Sequence, residues 1–295
     1  MRGIGVFEFG APEVLQVIDL PEVHAGPDEI RIRVHAVAVN PTDLSIRSGV
    51  RAERLRQNPP PYVPGMDAAG VIDEIGPETE TGLAIGMPVM AMVVPSGSHG
   101  AYRESIVLSA DSVVSAPQGF SHAEVATLPM NGLTARLSLD QLALRAGQTI
   151  AVTGAAGAYG GYVIQIAKHE GLKVIADASP ADESLVSNLG ADIIVPRGDD
   201  FSDQVRKVAP DGVDGLADGA VLSELAVGAV RDGGGFAAVR GWAGTGERDI
   251  MFHRTFVGNY DHRSDLLDQL RQLVEAGVVT LRVAGTYEPD QASEA

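Results

Sequence analysis

Apolar and polar residues follow two different periods along this chain. Up to about residue 118, short alternating or continuous apolar runs are separated by Gly, Pro and Asp. Such runs are typical of antiparallel strands in a small barrel, and we find no helix signal among them. The predicted strands are Ile4–Phe9, Leu15–Asp19, Ile30–Val39, Ala68–Ile75, Val89–Val94 and Ile106–Leu108. We therefore predict a β-rich first domain over residues 1–118.

From residue 119 to 251, predicted strands alternate with amphipathic helices. Ser121 and Glu124 form a capping box that starts one helix, and Pro129 suits the first turn of the next. Strands are predicted at Thr149–Val152, Lys173–Ala176, Asp192–Val195, Val213–Leu216 and Gly235–Val239, and helices at Glu183–Asn188, Ser202–Val208 and Leu222–Val230. This order predicts an α/β fold with a doubly wound parallel sheet.

A glycine run over residues 152–161 joins the first of these strands to a helix through small residues. Glycine lets the backbone approach a pyrophosphate, and the helix N-terminus offers unpaired N–H groups and a partial positive charge. Asp177 ends the second strand about 20 residues later, where a carboxylate can bind ribose hydroxyls. We predict a dinucleotide site; a packing turn that holds no ligand is the alternative. Its residues are Gly154, Ala155, Gly157, Ala158, Tyr159 and Asp177.

Beyond Gly241 the alternation of strands and helices stops. The strand Phe252–Val257, the amphipathic helix Asp265–Glu275 and the strand Leu281–Ala284 are predicted to return the chain to the first domain. Residues 252–295 would then form the second segment of that domain.

Composition limits the chemistry and the partners. The 295 residues carry a formal net charge of −17, which would repel nucleic acid and anionic membranes. Because cysteine is absent, disulfides, a thiolate nucleophile and a cysteine-built zinc site are excluded. The sequence has neither a signal peptide after Met1 nor a long uncharged apolar run, so we expect a soluble cytoplasmic protein.

Six motifs stand in a fixed order along nearly the whole chain. They are Gly10–Leu15, Val39–Asp43, Val63–Gly70, Gly132–Ala135, the glycine run and Leu189–Asp192. Together they resemble the zinc-independent quinone oxidoreductase branch of the medium-chain dehydrogenase/reductase superfamily. The resemblance implies a GroES-like β-rich catalytic domain, a Rossmann domain and a cleft between them. It also implies reduction of a quinone or an α,β-unsaturated carbonyl (enone) by NADPH.

Zinc alcohol dehydrogenases of the same superfamily have Cys where this chain has Asn40, and a His-Glu pair where it has Met66 and Asp67. These ligands are replaced, and the four cysteines of the structural zinc lobe are missing, so we expect no metal site. Hydride transfer would then depend on the nicotinamide, with the protein supplying orientation and polarisation.

The resemblance places several residues beside the reacting groups. Asn40 looks like the family's asparagine at the cleft floor, whose amide can stabilise an enolate; otherwise it satisfies the turn before Pro41. Asn131 and Thr134 begin the helix that passes the nicotinamide in the family. The amide of Asn131 can bond the nicotinamide carboxamide or the substrate, with an ordinary polar residue at a helix start as the alternative. Tyr62 is a candidate proton donor, with a packing role or solvent as the alternatives.

Two further segments follow later strands, at the end where open α/β sheets bind ligands. Asp218-Gly219 and Val239-Arg240-Gly241 are expected to contact the ribose and the nicotinamide. Arg240 fits an interdomain ion pair equally well.

The signals for the coenzyme conflict. In the family, hydroxyl and basic residues after the second strand hold the 2′-phosphate of NADPH, and Ser179 and Arg197 suit these roles. Asp177 would repel that phosphate but bind a free 2′-hydroxyl, and Glu183 stands where some relatives have Lys. We expect NADP(H), because Asp177 can turn aside as the cap of a helix near Pro180, with NAD(H) as the alternative.

The chain departs from the family at two places, and the first of them, with the lack of an evident proton donor, keeps other functions open. Ser45 stands where many quinone reductases have Tyr, and the sequence stops at Ala295, where relatives continue into a strand that closes the catalytic domain. Without that strand, a sheet edge would be exposed. An NADPH-binding redox sensor without turnover and a zinc-free alcohol or carbonyl dehydrogenase are the alternatives to an enone or quinone reductase. Phe236–Val239 resembles the family's dimer edge, so we expect a homodimer.

Overall fold

The computed structural model describes residues 1–50 and 52–295. Their contacts divide the chain into two compact units. The first unit comprises Met1–Met130, Tyr260–Glu275 and Leu281–Ala295, and the second comprises Asn131–Asn259 and Ala276–Thr280. No helix in the described part of the chain has both the length and the apolar character needed to cross a membrane.

The first unit is built on antiparallel strands. They are β1 (Arg2–Gly5), β2 (Gln16–Asp19), β3 (Glu29–Ala36), β4 (Asp67–Ile75), β5 (Pro88–Met92), β6 (Ser105–Ser109) and β7 (Val113–Ser115). Five of them form a sheet in the order β6-β3-β4-β5-β7, and β1 pairs with β2. Ile30 and Ile32 of β3 are buried while Arg33 is exposed, so the period of two places one face of the sheet on the core.

Short helices also occur in the first unit, although the sequence pattern predicted none before residue 118. They are α1 (Pro41–Ser48), α2 (Ala52–Leu55) and α3 (His122–Val125). Asn40 is the N-cap of α1, Pro41 occupies the first turn, and the left-handed Gly49 (φ 77°) ends the helix. The segment that we expected to be a turn therefore starts a helix. The capping box of Ser121 and Glu124 is confirmed at α3.

The second unit has the predicted alternation of strands and helices. Its elements begin with α4 (Pro129–Leu142), whose first two residues belong to the first unit. They continue with β8 (Thr149–Thr153), α5 (Ala158–His169), β9 (Lys173–Ala178), α6 (Glu183–Asn188), β10 (Ile193–Pro196), α7 (Phe201–Val208), β11 (Val213–Asp218), α8 (Glu224–Val227), β12 (Val230–Ala238) and β13 (Met251–Arg254). The strands are parallel in the order β10-β9-β8-β11-β12-β13. This is the doubly wound order, with its switch point between β8 and β11, and it confirms the predicted fold class.

The last part of the chain differs from the prediction. The strand expected at residues 252–257 to return to the first domain instead pairs in parallel with β12 as β13. Phe252 explains this position, because its ring packs against those of Phe236 and Trp242. Consequently β12 is paired on both sides, so the segment Phe236–Val239, which resembles the family's dimer edge, does not lie at an edge of this sheet.

The chain then enters α9 (Ser264–Glu275), which belongs to the first unit and matches the predicted amphipathic helix. Its buried residues are Leu266, Leu267, Leu270 and Val274. Leu281–Ala284 is not a strand, so that prediction is wrong. Val283 is 40% exposed, and the segment pairs with no strand among residues 1–50 and 52–295.

Candidate functional site

Tight backbone packing shapes the turn between β8 and α5. Gly154 has a φ of +64°, and a Cβ on it would lie 3.0 Å from the backbone nitrogen of Ala220. A Cβ on Gly160 would lie 2.4 Å from the carbonyl oxygen of Gly154. Gly157 is the N-cap of α5, whose first N–H groups have no carbonyl partner within the helix. The glycines thus bring a helix N-terminus to the carboxyl end of the parallel strands, where it suits a phosphate group.

Asp177 lies near the end of β9 and is 1% exposed. Its Oδ1 accepts a hydrogen bond from the backbone N–H of Ala155 at 2.9 Å. Its Oδ2 is buried without a hydrogen bond in the described part of the chain and lies 3.7 Å from Nε of Arg197. Asp177 therefore ties the glycine turn to β9. The prediction that it caps a helix near Pro180 is wrong, since α6 starts at Glu183.

Ser179 and Arg197, the two residues expected at a 2′-phosphate, meet on one carboxylate oxygen. The hydroxyl of Ser179 donates to Oδ2 of Asp182 at 2.7 Å. Nη2 of Arg197 donates to the same oxygen at 3.2 Å. Sequence reasoning did not assign Asp182 to the site, because an acid at the start of a helix fits a solvated charge equally well.

These groups fit a dinucleotide. A tight turn of Gly and Ala with a helix N-terminus suits the pyrophosphate. Oδ2 of Asp177, which accepts no hydrogen bond in the described part of the chain, is an acceptor, and Ser179 with Arg197 forms a donor set for an anion. All of them lie on the carboxyl side of β8, β9 and β10, where open α/β sheets bind ligands.

Asp218 shapes the neighbouring loop rather than facing a ligand. Its Oδ1 accepts from Oγ1 of Thr153 at 2.6 Å and from the N–H of Leu222 at 3.0 Å. Its Oδ2 accepts from the N–H of Ser223 at 2.8 Å. The helix α8 then begins at Glu224, two residues after the predicted start at Leu222. A Cβ on Gly219 would lie 2.8 Å from the carbonyl oxygen of Thr153. Both carboxylate oxygens accept hydrogen bonds from the protein, and these bonds position Gly219 and the loop.

The segment Val239-Arg240-Gly241 follows β12 as a tight turn. Arg240 is exposed and has a left-handed backbone (φ 64°), as does Gly241 (φ 86°). Within residues 1–50 and 52–295, Arg240 forms no ion pair, so the ion-pair alternative finds no support there. A left-handed backbone at a non-glycine residue is strained and is often found at ligand-binding sites.

The side chain of Tyr159 points into the second unit. Its hydroxyl is 2.7 Å from Oγ of Ser138, and burial raises its pKa far above the ordinary value. Oγ of Ser138 in turn donates to the carbonyl oxygen of Thr134 at 3.0 Å. Only the backbone of Tyr159 is therefore placed to act at the helix N-terminus. On α4, Thr134 is buried and Asn131 is half-buried.

In the first unit, the amide of Asn40 is held by a buried carboxylate. Nδ2 of Asn40 donates to Oδ2 of Asp67 at 2.6 Å, and Oδ1 of Asp67 accepts from the N–H of Met130 at 2.7 Å. The N–H of Asn40 donates to Oδ2 of Asp43 at 2.8 Å. Asn40, Asp43 and Asp67 are each less than 5% exposed. The asparagine therefore has a fixed position on both its backbone and its side chain.

Burial changes the acidity of these carboxylates. Burial raises the pKa of Asp67 from 3.8 to about 7 and that of Asp43 from 3.8 to about 6, although hydrogen bonds to both oppose the shift. Tyr102 donates to the carbonyl oxygen of Ala38 at 3.3 Å and lies 3.5 Å from Oδ2 of Asp43. Burial and the two carboxylates raise its pKa far above the ordinary value.

Tyr62, the predicted proton donor, is part of a hydrophobic cluster. Its ring stacks on that of Phe9 with 5.0 Å between the centroids, and its hydroxyl donates to the carbonyl oxygen of Asn58 at 3.2 Å. Packing explains this residue. Ser45 likewise has a local role, since its hydroxyl donates to the carbonyl oxygen of Pro41 at 2.9 Å.

Known proteins resemble this chain in both sequence and fold. Residues 26–118 match the family described as Alcohol dehydrogenase GroES-like domain. A quinone oxidoreductase of Mus musculus is 30% identical over 319 residues, which cover 100% of this chain and 92% of the mouse protein. This chain belongs to the zinc-independent quinone oxidoreductases. It is therefore an oxidoreductase of the medium-chain dehydrogenase/reductase superfamily.

Two further proteins extend the comparison for this quinone oxidoreductase family member. An NADPH-dependent alkenal/one oxidoreductase of Arabidopsis thaliana, a chloroplast protein, is 31% identical over 244 residues, covering 79% of this chain and 61% of that protein. A crystal structure of an NAD-dependent alcohol dehydrogenase has a TM-score of 0.87 and 30% identity, covering 100% of this chain and 94% of that chain.

The residues at the zinc positions of the superfamily bind each other in this family member. Asn40 and Asp67, which replace zinc ligands, are joined by their 2.6 Å hydrogen bond. An amide and a carboxylate bonded in this way lack the soft or imidazole ligands that zinc prefers. Among the residues that the structure describes, no three His, Cys, Asp or Glu side chains group together as a possible metal site.

Proposed function

We propose that the protein is an NADPH-dependent reductase of a quinone or an enone. The observation that carries the proposal is the convergence of Ser179 and Arg197 on one anionic oxygen beside the glycine turn. A hydroxyl and a guanidinium at this place suit the 2′-phosphate that distinguishes NADPH from NADH. Membership of the quinone oxidoreductase family and the likeness to an alkenal/one oxidoreductase support the substrate class.

When bound, the coenzyme supplies the hydride. The N-terminus of α5 binds the pyrophosphate, and Ser179 and Arg197 bind the 2′-phosphate. Asn131, Thr134 and the segment 239–241 are the residues we assign to the nicotinamide side.

Asn40 is the residue that we assign to the substrate oxygen. Reduction of an enone places negative charge on its carbonyl oxygen, and a fixed N–H donor at that oxygen lowers the barrier. Asp67 accepts from the amide of Asn40 and so keeps it in one orientation. The hydroxyl of Tyr62 is engaged by Asn58, so we propose that solvent protonates the enolate carbon.

We also propose a homodimer. If the dimer forms through a sheet edge of the second unit, the edge strands are β10 and β13, because β12 lies between β11 and β13. Light scattering of the purified protein tests the proposal, and a monomer at all concentrations contradicts it.

The decisive experiment combines coenzyme binding with turnover. We expect NADPH to bind more tightly than NADH in a fluorescence titration, and Arg197→Ala to remove the difference. We also expect steady oxidation of NADPH with benzoquinone or an alkyl vinyl ketone. Tight binding of NADPH without turnover of any quinone or enone would support a redox sensor instead. Binding of neither coenzyme would overturn the assignment of the glycine turn.

A further inference from the structure

Asp182 stands at the N-cap of α6 but does not cap the helix. An aspartate at this position ordinarily accepts a hydrogen bond from an N–H of the first turn, and here its side chain makes no such bond. Both contacts to its Oδ2 come from other elements, namely the hydroxyl of Ser179 and the guanidinium of Arg197. The carboxylate thus bonds to Ser179 and Arg197, two side chains suited to an anion, instead of to a backbone N–H of α6.

The contacts of Asp182 are those that a phosphate oxygen would make. A guanidinium and a hydroxyl that point at one anionic oxygen form a charge-assisted set, and phosphate is the other common partner of such a set. Arg197 also lies 3.7 Å from Oδ2 of Asp177, so it stands between two carboxylates.

The two carboxylates differ in their freedom to move. Asp177 is 1% exposed and is tied to the glycine turn through the N–H of Ala155. The side chain of Asp182 is 32% exposed, and its hydrogen bonds are to side chains that a ligand can also engage. An incoming anion can therefore replace Asp182 without disturbing the turn, whereas Asp177 stays in place.

We propose that Asp182 is a specificity-determining residue that occupies the 2′-phosphate position in the unliganded protein and weakens the preference for NADPH over NADH. The proposal rests on the function proposed above, because it concerns the same coenzyme site. NADPH has to displace the carboxylate and break its two hydrogen bonds. NADH has no 2′-phosphate and leaves these bonds intact, so Asp182 penalises one coenzyme only.

The test is a binding titration of the full-length protein with NADPH, NADH and adenosine 2′-monophosphate. The last probe reports on the phosphate position without any nicotinamide chemistry. Asp182→Asn keeps the shape of the side chain and suits an N-cap, and Asp182→Ala removes the acceptor altogether. Asp232→Asn is the matched control, since it changes the net charge equally at an 80% exposed side chain near the start of β12.

We expect both Asp182 variants to bind NADPH and adenosine 2′-monophosphate about tenfold more tightly, as loss of one competing charge-assisted contact implies. The affinity of these variants for NADH should stay within about twofold of the wild type. Asp232→Asn should change the affinity for each of the three ligands by at most about twofold. Unchanged or weaker NADPH binding in the variants, with NADH binding intact, would overturn the role of Asp182. Failure of the wild type to bind either coenzyme would instead overturn the proposed function.

Discussion

The hydrogen bond between Asn40 and Asp67 determines what the asparagine can do. Both oxygens of Asp67 accept hydrogen bonds, one from Asn40 and one from the N–H of Met130. An ionised carboxylate satisfies both donors, whereas a protonated one has an O–H where an acceptor is needed. With Asn40 assigned to the substrate oxygen, we expect Asp67 to be a positioning residue whose effect on catalysis passes through the amide of Asn40.

Replacing Asp67 by Asn should lower kcat about tenfold or more, because a donor then faces the donor of Asn40. Coenzyme affinity should stay within about twofold, since Asp67 lies outside the nucleotide site. The kcat of the wild type should fall as pH decreases through about 7, the pKa of Asp67, and the variant should lack this decline. Steady-state kinetics across pH measure both effects.

The double variant Asn40→Ala/Asp67→Asn is the control for this reasoning. If Asp67 acts through Asn40, the second substitution should add little to the loss in kcat caused by Asn40→Ala. Fully additive losses would show that Asp67 has an independent role.

At the scale of elements, the turn between β8 and α5 depends on the missing Cβ of Gly160. The helix approaches the strand so closely that the carbonyl oxygen of Gly154 occupies the place of a side chain. This close packing of α5 on β8 also directs the N-terminus of α5 to the carboxyl end of the parallel strands. Stability and coenzyme binding are therefore coupled at this one position.

We expect Gly160→Ala to reduce the free energy of unfolding by about 1 to 3 kcal/mol, as overpacking against backbone does. It should also weaken binding of both coenzymes, because α5 must move away from the turn. Gly82→Ala is the control, since a Cβ there meets nothing within 4 Å; it should change stability by at most about 0.5 kcal/mol. Urea denaturation and a coenzyme titration provide the two readouts, and an unaltered Gly160→Ala protein would contradict this account.

For the molecule as a whole, the buried acids of the first unit make stability depend on pH. Their pKa values are higher in the folded state than the ordinary 3.8, so folding favours their protonated forms. Their contribution is greatest below pH 3.8 and is lost as pH rises through about 6 for Asp43 and about 7 for Asp67.

Urea denaturation between pH 4 and pH 8 tests this dependence, with Asp67→Asn as the comparison. Over this range, the free energy of unfolding of the wild type should decrease relative to that of the variant as pH rises. Parallel pH profiles for the two proteins would show that folding does not raise the pKa of Asp67.

The sequence predicted both sheets because each has a clear period, and it predicted the glycine turn because backbone packing there admits no Cβ. It did not predict that β13 pairs with β12, since the sequence of a four-residue strand does not indicate which sheet the strand joins. It also selected Tyr62 as a candidate proton donor, and the structure shows the Tyr62 hydroxyl bonded to the carbonyl oxygen of Asn58. Only the tertiary structure shows that Tyr102 lies beside Asp43 and that Asp182 binds Ser179 and Arg197.

The first unit is assembled from segments on either side of the second, and this has a consequence for biosynthesis. The helix α9 packs against β7, and the N–H of Gln118 donates to Oε1 of Glu275 at 3.0 Å. On the ribosome, β7 emerges long before α9, with nearly all of the second unit translated between them. The apolar surface of the first unit that α9 covers in the native protein, through Leu266, Leu267 and Leu270, therefore stays exposed to solvent until α9 has been synthesised.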